Sequence, residues 1–452
     1  IREEFDKQPP DNREKIEAFW DRLSQVPYRS DFTFNEPSDF KTIRELCTPG
    51  PDINPPKFSK DDLYDRMLGA WQGRIAGCAL GKPVEVCTAV AIDDPQSGQM
   101  RIKEFLQRVS PDAYPLKDYF SKREPQEGDP LQLICEESQK ENLKYMEQDD
   151  DIRYTIIGQI VLLQSGPDFQ TDHVARAWLR NLGLQWVCTA EATAYRNLAW
   201  RYSVCCGNWP KSSIDWLWVA SHQNPFREWI GAQIRADSWG YACPGNPDRA
   251  ARFGFRDARL SHVKNGIYGE MFVAAMIAAA FATTNVHTIV EAGLAQIPST
   301  SRLYADMRTV IDVCKKHGND PENFEAALTE VNRNLRHYAT VHTNNNSGLV
   351  AAALLMSGGD FEKAITIAVM GGLDTDCNGA TVGSIMGAML GARKLPARWI
   401  EPFNDQMRSM IVGYDPIAVT ECARRSVAIV DIVENKTVKA DRLAPIGDDL
   451  TI

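Results

Sequence analysis

The chain has 452 residues and a net charge of −10, and its 44% of hydrophobic and 24% of charged residues are typical of a folded globular protein. Its sequence has no block of basic residues and no apolar run of membrane-spanning length, which argues against a nucleic-acid or membrane partner. The polar amino terminus and eleven cysteines without paired spacing favour a cytoplasmic protein with free thiols.

The first residues, 1–57, are predicted to form an extension that wraps around the main body. They are rich in proline, aspartate and lysine, with one helical stretch over residues 12–23 and a turn-forming segment over residues 49–56. We expect the remaining residues, 58–452, to form one large helical domain.

A stripe of glycines marks the first long helix, predicted over residues 61–81. Glycine recurs at every fourth position, at 69, 73, 77 and 81, so all four lie on one face. Because each glycine costs a helix about 1 kcal/mol relative to alanine, the stripe indicates that a backbone or a ligand presses against that face. Glu85 follows this helix by four residues.

The middle of the chain alternates loops with helices. Residues 88–147 are polar and punctuated by proline, which predicts loops with short helices, and a long helix follows the acidic run 149–151. Residues 178–239 contain eight of the eleven tryptophans, and we expect these rings to line a wall or a core. The neighbouring Cys205 and Cys206 are interpreted as buried thiols.

Helical spacing continues to the end of the chain without any run of alternating β-branched residues, which predicts an all-α protein. The later predicted helices cover residues 266–282, 286–296, 301–317, 322–338, 347–356, 361–370 and 416–435. A further helix after residue 378 carries a second glycine stripe, at 379, 383, 387 and 391. Two such stripes predict two helices that approach closely in the centre of the fold.

Two groups of aspartates are the candidate metal ligands: Asp149, Asp150 and Asp151 precede one helix, and Asp374 and Asp376 precede another. One aspartate suffices to cap a helix. Further like charges held close together destabilise a fold unless a cation compensates them. Since carboxylate oxygens prefer hard cations, the expected metal is Mg²⁺ or Mn²⁺ rather than Zn²⁺.

Other polar residues are candidates for catalysis and substrate binding. If the first glycine helix is central, Glu85 faces the same cavity as the aspartates and is a candidate general acid or base. His262 lies just before the amide-rich helix start at Asn265 and Tyr268, a place suited to hold a sugar or a base, although a lone histidine is more often structural. Residues 342–347 are polar and could bind hydroxyl groups, but a cap for the helix that follows is the favoured interpretation.

In order and spacing, four segments resemble the ADP-ribosylglycohydrolase family: residues 69–85, 149–151, 257–262 and 371–391. The resemblance covers residues 62–435. It implies a single multi-helical domain, all-α, with a central cleft that holds two divalent cations, Mg²⁺ or Mn²⁺.

The matching positions also imply roles for individual side chains. The implied metal ligands are Asp149, Asp150, Asp151, Asp374, Asp376 and Cys377. The implied catalytic residues at the scissile ribosyl bond are Glu85, Asp150 and Asp374. The predicted substrate contacts, from matching positions and from the polar helix start, are Gly231, Arg235, His262, Asn265 and Tyr268.

Several positions depart from the family's pattern. Cys78 stands where many members have aspartate, while Asp149 and Cys377 each stand where threonine is usual. The family's diphosphate-binding loop is reduced here to residues 231–235. Arg235 and the neighbouring backbone remain candidates to hold an anion.

The sequence therefore predicts a metal-dependent hydrolase that cleaves a ribosyl glycosidic bond in a ribosylated small molecule or an ADP-ribosylated protein. Two alternatives stay open. One is a small-molecule N- or O-glycosidase of the same fold, acting on a nucleoside or a furanoside. The other is a non-catalytic relative that binds a ribosyl ligand. The oligomeric state is not predicted.

Overall fold

The computed structural model describes residue 7 and residues 12–55, 57–85, 96–204, 209–210 and 213–435. Its regular structure consists of helices and one small two-stranded sheet, which confirms the prediction of an all-α protein. The helices up to the middle of the chain are α1 (Arg13–Ser24), α2 (Phe40–Glu45), α3 (Lys60–Gly81), α4 (Gln96–Val109), α5 (Asp150–Ser165), α6 (Thr171–Asn181), α7 (Thr189–Tyr202), α8 (Trp216–Ser221), α9 (Asp237–Tyr241) and α10 (Pro247–Ala258).

The second half of the fold is equally helical. Its helices are α11 (Asn265–Ala280), α12 (Val286–Leu294), α13 (Arg302–Lys316), α14 (Phe324–Leu335), α15 (Thr343–Met356), α16 (Phe361–Met370), α17 (Thr375–Leu390), α18 (Ala397–Ile400) and α19 (Val419–Asn435). The strands β1 (Gln406–Met407) and β2 (Ile417–Ala418) pair antiparallel. In the described ranges, no helix combines the length and the apolar character needed to cross a membrane.

Polar residues fix where the helices near the site begin and end. At the start of α3, the Ser59 side chain accepts the amide of Asp62 at 3.1 Å. At the start of α5, the Asp149 side chain accepts the amide of Asp151 at 2.9 Å. Helix α5 ends at Ser165, and the next residue is Gly166, whose φ of 62° suits glycine.

Helices α3 and α17 cross as an antiparallel pair, which confirms the close approach predicted from the two glycine stripes. A Cβ atom at Gly73 would lie 2.0 Å from the carbonyl oxygen of Gly383, and one at Gly77 would lie 1.9 Å from that of Gly379. Only glycine permits backbones at this distance. Helices α11, α15 and α16 pack on α17, and α19 packs on α3, so the pair lies inside the helical layers.

Part of the predicted amino-terminal extension packs against this helical body. The carboxylate of Glu36 accepts hydrogen bonds from Arg302 at 2.7 and 2.8 Å, and Ile43 of α2 is fully buried. Helix α1 lies within one residue of its predicted bounds. The boundary at residue 57 stays a prediction.

Two predictions about local structure need correction. Helix α17 begins at Thr375 rather than after residue 378, so Asp376 and Cys377 lie in its first turn. The segment predicted to contain only short helices includes α4, with 14 residues. Its buried apolar side has only Ile102, Phe105 and Leu106, a pattern too short to predict a helix of this length.

The tryptophans of residues 178–239 are only partly in the core, so that prediction is wrong in part. Trp178 and Trp239 are 1% exposed, whereas Trp200 on α7 is 49% exposed. The ring of Trp200 lies 5.9 Å from the ring of Trp218, so its contact is with a neighbouring indole near the surface. Cys205 and Cys206 lie outside the described residues.

Candidate active site and metal centre

The crossing of α3 and α17 brings the candidate catalytic residues to one place. A Cβ atom at Gly81, the last residue of α3, would lie 2.2 Å from the carbonyl oxygen of Thr375. The Thr375 hydroxyl donates to the carbonyl of Gly81 at 2.9 Å. The chain then turns through the 3₁₀ helix Lys82–Val84 and reaches Glu85. Glu85 and the first turn of α17 therefore share one end of the helix pair.

Donor atoms of the predicted ligands lie close enough together to hold a cation. Among the residues that the structure describes, four groups have donor atoms within 4.8 Å of one another: Glu85 with Asp374 and Asp376; Asp149 with Asp150 and Asp151; Cys78 with Asp149 and Asp376; and Asp151 with Asp376 and Cys377. The structure thus gathers all six predicted metal ligands and Glu85. Asp376 belongs to three of the groups and connects the start of α5 with the start of α17.

Several buried oxygens of this cluster have no hydrogen-bond partner among the residues that the structure describes. They include Oδ2 of Asp151, Oδ1 of Asp374 and Oδ1 of Asp376, and none of these residues is more than 6% exposed. Asp374 occupies the N-cap position of α17, yet its side chain makes no capping bond. Because a buried carboxylate oxygen without a partner is costly, the donor set fits divalent cations better than helix caps.

A lysine is the internal partner of Asp149. Lys82 Nζ donates to Oδ2 of Asp149 at 2.7 Å, while Oδ1 accepts the amide of Asp151 at 2.9 Å. Burial works against the charge of Asp149, but Lys82 and this amide lower its pKa below the usual value. Both oxygens of Asp149 are engaged, so Asp150, Asp151 and the α17 aspartates are the better candidate ligands.

An arginine on α3 orients Asp151. The Nη2 of Arg74 donates to Oδ1 of Asp151 at 2.9 Å and to its carbonyl oxygen at 2.7 Å, and Nη1 pairs with Asp237 at 2.7 Å. Arg74 is fully buried, and it leaves Oδ2 of Asp151 for another partner. The sequence reasoning missed Arg74, Lys82 and Asp237. One signal was present in the sequence. Arg74 is a charged residue inside a helix whose glycine stripe indicates burial, so a buried ionic partner was to be expected.

An asparagine supports the loop that presents the α17 aspartates. Oδ1 of Asn346 accepts the amide of Asp374 at 3.2 Å and Nδ2 of Asn378 at 2.9 Å. Leu373 has a φ of 63°, which a residue other than glycine rarely adopts. Helix α15 begins at Thr343 rather than at its predicted start at residue 347, so His342 caps it and the rest of the polar run lies inside the helix, where Asn346 belongs to the site.

Crowding of negative charge raises the pKa of several carboxyl groups. The charge of Asp376, followed by burial, raises the pKa of Glu85 to about 10. Burial and the charge of Asp149 raise the pKa of Asp376 to about 7 and that of Asp150 to about 6. Near neutral pH, protons and cations therefore compete for these groups.

Arg235 lies in a buried ion-pair network, and this arrangement speaks against its predicted contact with an anion. The guanidinium donates to Glu191 and to Asp257, each at 2.6 Å. It also donates to the carbonyl of Gly231 at 2.8 Å, and Arg235 is only 1% exposed. A Cβ atom at Gly231 would lie 2.4 Å from Oε1 of Glu191, so this loop packs against a carboxylate.

The remaining predicted substrate contacts have partners inside the fold. His262 is 1% exposed, and its Nδ1 shares a 2.8 Å hydrogen bond with the Ser261 hydroxyl. The side chains of Asn265 and Tyr268 donate to residues 36–37 of the amino-terminal segment. These contacts anchor that segment on α11, and the structural reading of His262 is the better supported one.

The fold and the buried acidic cluster define an all-α protein with a candidate divalent-metal centre between two helix starts. The chain belongs to the ADP-ribosylglycohydrolase family, which matches residues 59–428, and this confirms the resemblance predicted from the motifs.

A search of solved structures finds similarity to a chain described as an ADP-ribosylglycohydrolase-related protein complex. The TM-score is 0.50 and the sequence identity 17%, over 82% of this chain and 99% of that chain. At this identity the likeness concerns the fold alone. No curated protein matches the chain.

Removal of the Lys82 charge is expected to destabilise the protein. In Lys82→Met, the carboxylate of Asp149 would stay buried without the positive charge of the lysine. We therefore expect the free energy of unfolding, measured by urea titration without added metal, to fall by about 3 kcal/mol. Adding Asp149→Thr should recover most of the loss. The exposed Lys394→Met is the control. If the wild type and Lys82→Met had the same free energy of unfolding, the ion pair between Lys82 and Asp149 would not stabilise the fold.

Proposed function

We propose that this protein is a divalent-metal-dependent hydrolase that cleaves a ribosyl glycosidic bond. The observation that carries the proposal is the buried cluster at the end of the α3 and α17 pair, where Glu85 lies beside Asp374 and Asp376. Membership of the ADP-ribosylglycohydrolase family supports a glycohydrolase activity. ADP-ribosylated proteins and ribosylated small molecules are the substrates proposed.

Two cations of the Mg²⁺ or Mn²⁺ type are proposed at this cluster. Asp150, Asp151, Asp374 and Asp376 would hold them, since three of these side chains have buried oxygens without a partner in the described part of the chain. When bound, such cations polarise hydroxyl groups and activate water. Arg74 keeps Asp151 in place through its hydrogen bond to Oδ1.

Glu85 is proposed to protonate the leaving atom. In the protein without cations, the charge of Asp376 and then burial raise the pKa of Glu85, which favours a protonated carboxyl at this position. As the bond from the anomeric carbon to the aglycone breaks, the aglycone keeps the electron pair and takes this proton. Water adds to the anomeric carbon from an oxocarbenium-like state, and its proton passes to Asp150, which is the half-buried aspartate of its run.

A small-molecule glycosidase is the second candidate, and the surroundings of Arg235 favour it. The guanidinium that matches the reduced diphosphate loop donates instead to Glu191 and Asp257. A substrate without a diphosphate, such as a nucleoside or a simple furanoside, does not need a contact with this arginine.

A substrate screen separates these functions. The protein, with Mg²⁺ or Mn²⁺, is incubated with ADP-ribosyl-arginine, ADP-ribosyl-serine, nucleosides and furanosides, and products are identified by mass spectrometry. Cleavage of only the ADP-ribosyl compounds supports the first candidate, and cleavage of only the simple glycosides supports the second. Binding without cleavage of any compound, with either metal, would instead identify a non-catalytic relative.

Replacing Glu85 by glutamine is expected to slow hydrolysis without loss of metal. Because glutamine cannot donate the acid proton, kcat should fall by about 100-fold or more. The loss should shrink for a ribosyl substrate with a p-nitrophenoxide leaving group, which departs without protonation. Mn²⁺ binding, followed by electron paramagnetic resonance, should persist. An equal loss of kcat for both leaving groups would rule out the role of general acid.

A further inference from the structure

Two thiol groups lie within the acidic cluster. The Sγ of Cys377 lies within 4.8 Å of carboxylate oxygens of Asp151 and Asp376, and the Sγ of Cys78 lies within the same distance of oxygens of Asp149 and Asp376. Cys78 is fully buried, and Cys377 is 5% exposed. Mg²⁺ binds oxygen atoms almost exclusively, so thiols at this place alter which cation the cluster prefers.

The hydrogen bonds distinguish the two thiol groups. Asp149 already binds Lys82 with one oxygen and a backbone amide with the other, so the group around Cys78 lacks an available carboxylate from the α5 start. In the group around Cys377, by contrast, Oδ2 of Asp151 and Oδ1 of Asp376 are buried and have no partner in the described ranges.

We propose that Cys377, Asp151 and Asp376 form a subsite for a thiophilic divalent cation such as Zn²⁺ or Co²⁺. One sulfur and two carboxylate donors suit such cations, and three protein ligands leave a position open for water or substrate. On binding, a sulfur–metal bond forms and the thiol proton passes to the buffer.

The neighbouring carboxylates of Asp374 and Asp376, which lie beside Glu85, offer oxygen donors alone and suit Mg²⁺ or Mn²⁺. The cluster therefore has two positions of different preference, joined by Asp376. This inference rests on the proposed function in placing cations at Asp376, and it changes the metal expected at one position.

Titration of the metal-free protein with Co²⁺ tests the subsite by absorption. A thiolate bound to Co²⁺ gives a near-ultraviolet charge-transfer band that carboxylate ligands do not give. The wild type should develop this band with one Co²⁺ per chain, and Zn²⁺ should displace it. Cys377→Ser should lack the band and bind Co²⁺ about 100-fold more weakly, with Mg²⁺ binding unchanged.

Three further variants control the experiment. Cys377→Thr repeats the loss with the residue usual in the family, in case the serine variant folds poorly by circular dichroism. Cys314→Ser removes a buried thiol of α13 outside the cluster and should keep the band. Cys78→Ser should also keep it, and loss of the band in this variant but not in Cys377→Ser would overturn the assignment.

The outcomes also separate this inference from the proposed function. Hydrolysis with Mg²⁺ or Mn²⁺ in a protein without any thiolate band would overturn the thiophilic subsite and leave the proposed function standing. A thiolate band that depends on Cys377, in a protein that hydrolyses no ribosyl compound with any metal, would leave the subsite standing and overturn the hydrolase.

Discussion

Replacement of Asp376 by alanine is expected to abolish metal-dependent hydrolysis. Asp376 is the one side chain shared by three of the four groups of donor atoms, so its loss removes a ligand from each proposed cation position. We expect kcat/KM to fall by about 1,000-fold or more, the scale of a lost electrostatic contribution at a reacting centre. Asp374→Ala should have a similar effect. Initial rates at saturating Mn²⁺ provide the measurement.

The fold should survive these substitutions. Burial and nearby carboxylates raise the pKa of Asp376 from 3.8 to about 7, so without cations its ionisation destabilises the folded state as the pH rises through that range. The pKa values of 3.8 and about 7 set the pH range to compare. When the pH is raised from 4 to 7 without metal, the wild type should lose more of its free energy of unfolding than the isosteric Asp376→Asn. Denaturant titrations at both pH values test the sign.

Loss of metal binding must be separated from a general loss of function. Mn²⁺ should raise the melting temperature of the wild type, and that increase should vanish in Asp376→Asn. The exposed Asp312→Ala on α13 is the control and should retain both activity and the Mn²⁺ effect. If chelation by EDTA and both aspartate substitutions left hydrolysis intact, the site assignment would be wrong.

The sequence predicted the centre of the fold better than its surface. Glycine stripes have one strong physical explanation in a soluble helix, which is close backbone contact, and the structure shows that contact at Gly73 and Gly383. Tryptophan clusters are less informative, because a large ring is stable both in a core and against a partly buried ring at the surface. Trp178 and Trp200, both from the same predicted wall, show the two outcomes.

The candidate ligands were found because like charges at adjacent positions demand compensation. The local sequence does not show which positively charged residue compensates each aspartate. Lys82 pairs with Asp149 and Arg74 with Asp151, and both ion pairs join residues that lie far apart in the sequence. Arg235 is the reverse case: its position in a motif suggested contact with an anion, which stays a prediction, and the sequence did not reveal its ion pairs with Glu191 and Asp257.

Alanine at Gly77 is expected to cause the largest loss of stability. In an isolated helix the change from glycine to alanine is worth about 1 kcal/mol of stabilisation. Here the new Cβ would lie 1.9 Å from the carbonyl oxygen of Gly379, so α3 and α17 must separate. We expect the free energy of unfolding to fall by about 4 kcal/mol or more, with the opposite sign to helix propensity.

A second substitution distinguishes the helix contact from a general effect of added bulk. Gly183→Ala would place its Cβ no closer than 3.5 Å to any neighbour and should change stability by less than about 1 kcal/mol. Similar losses in Gly77→Ala and Gly183→Ala, by urea titration, would refute the close contact. Gly81→Ala should add a catalytic defect. Glu85 follows the end of α3 through the turn Lys82–Val84 and Asp376 lies on α17, so separation of the helices moves the acid away from the metal ligands.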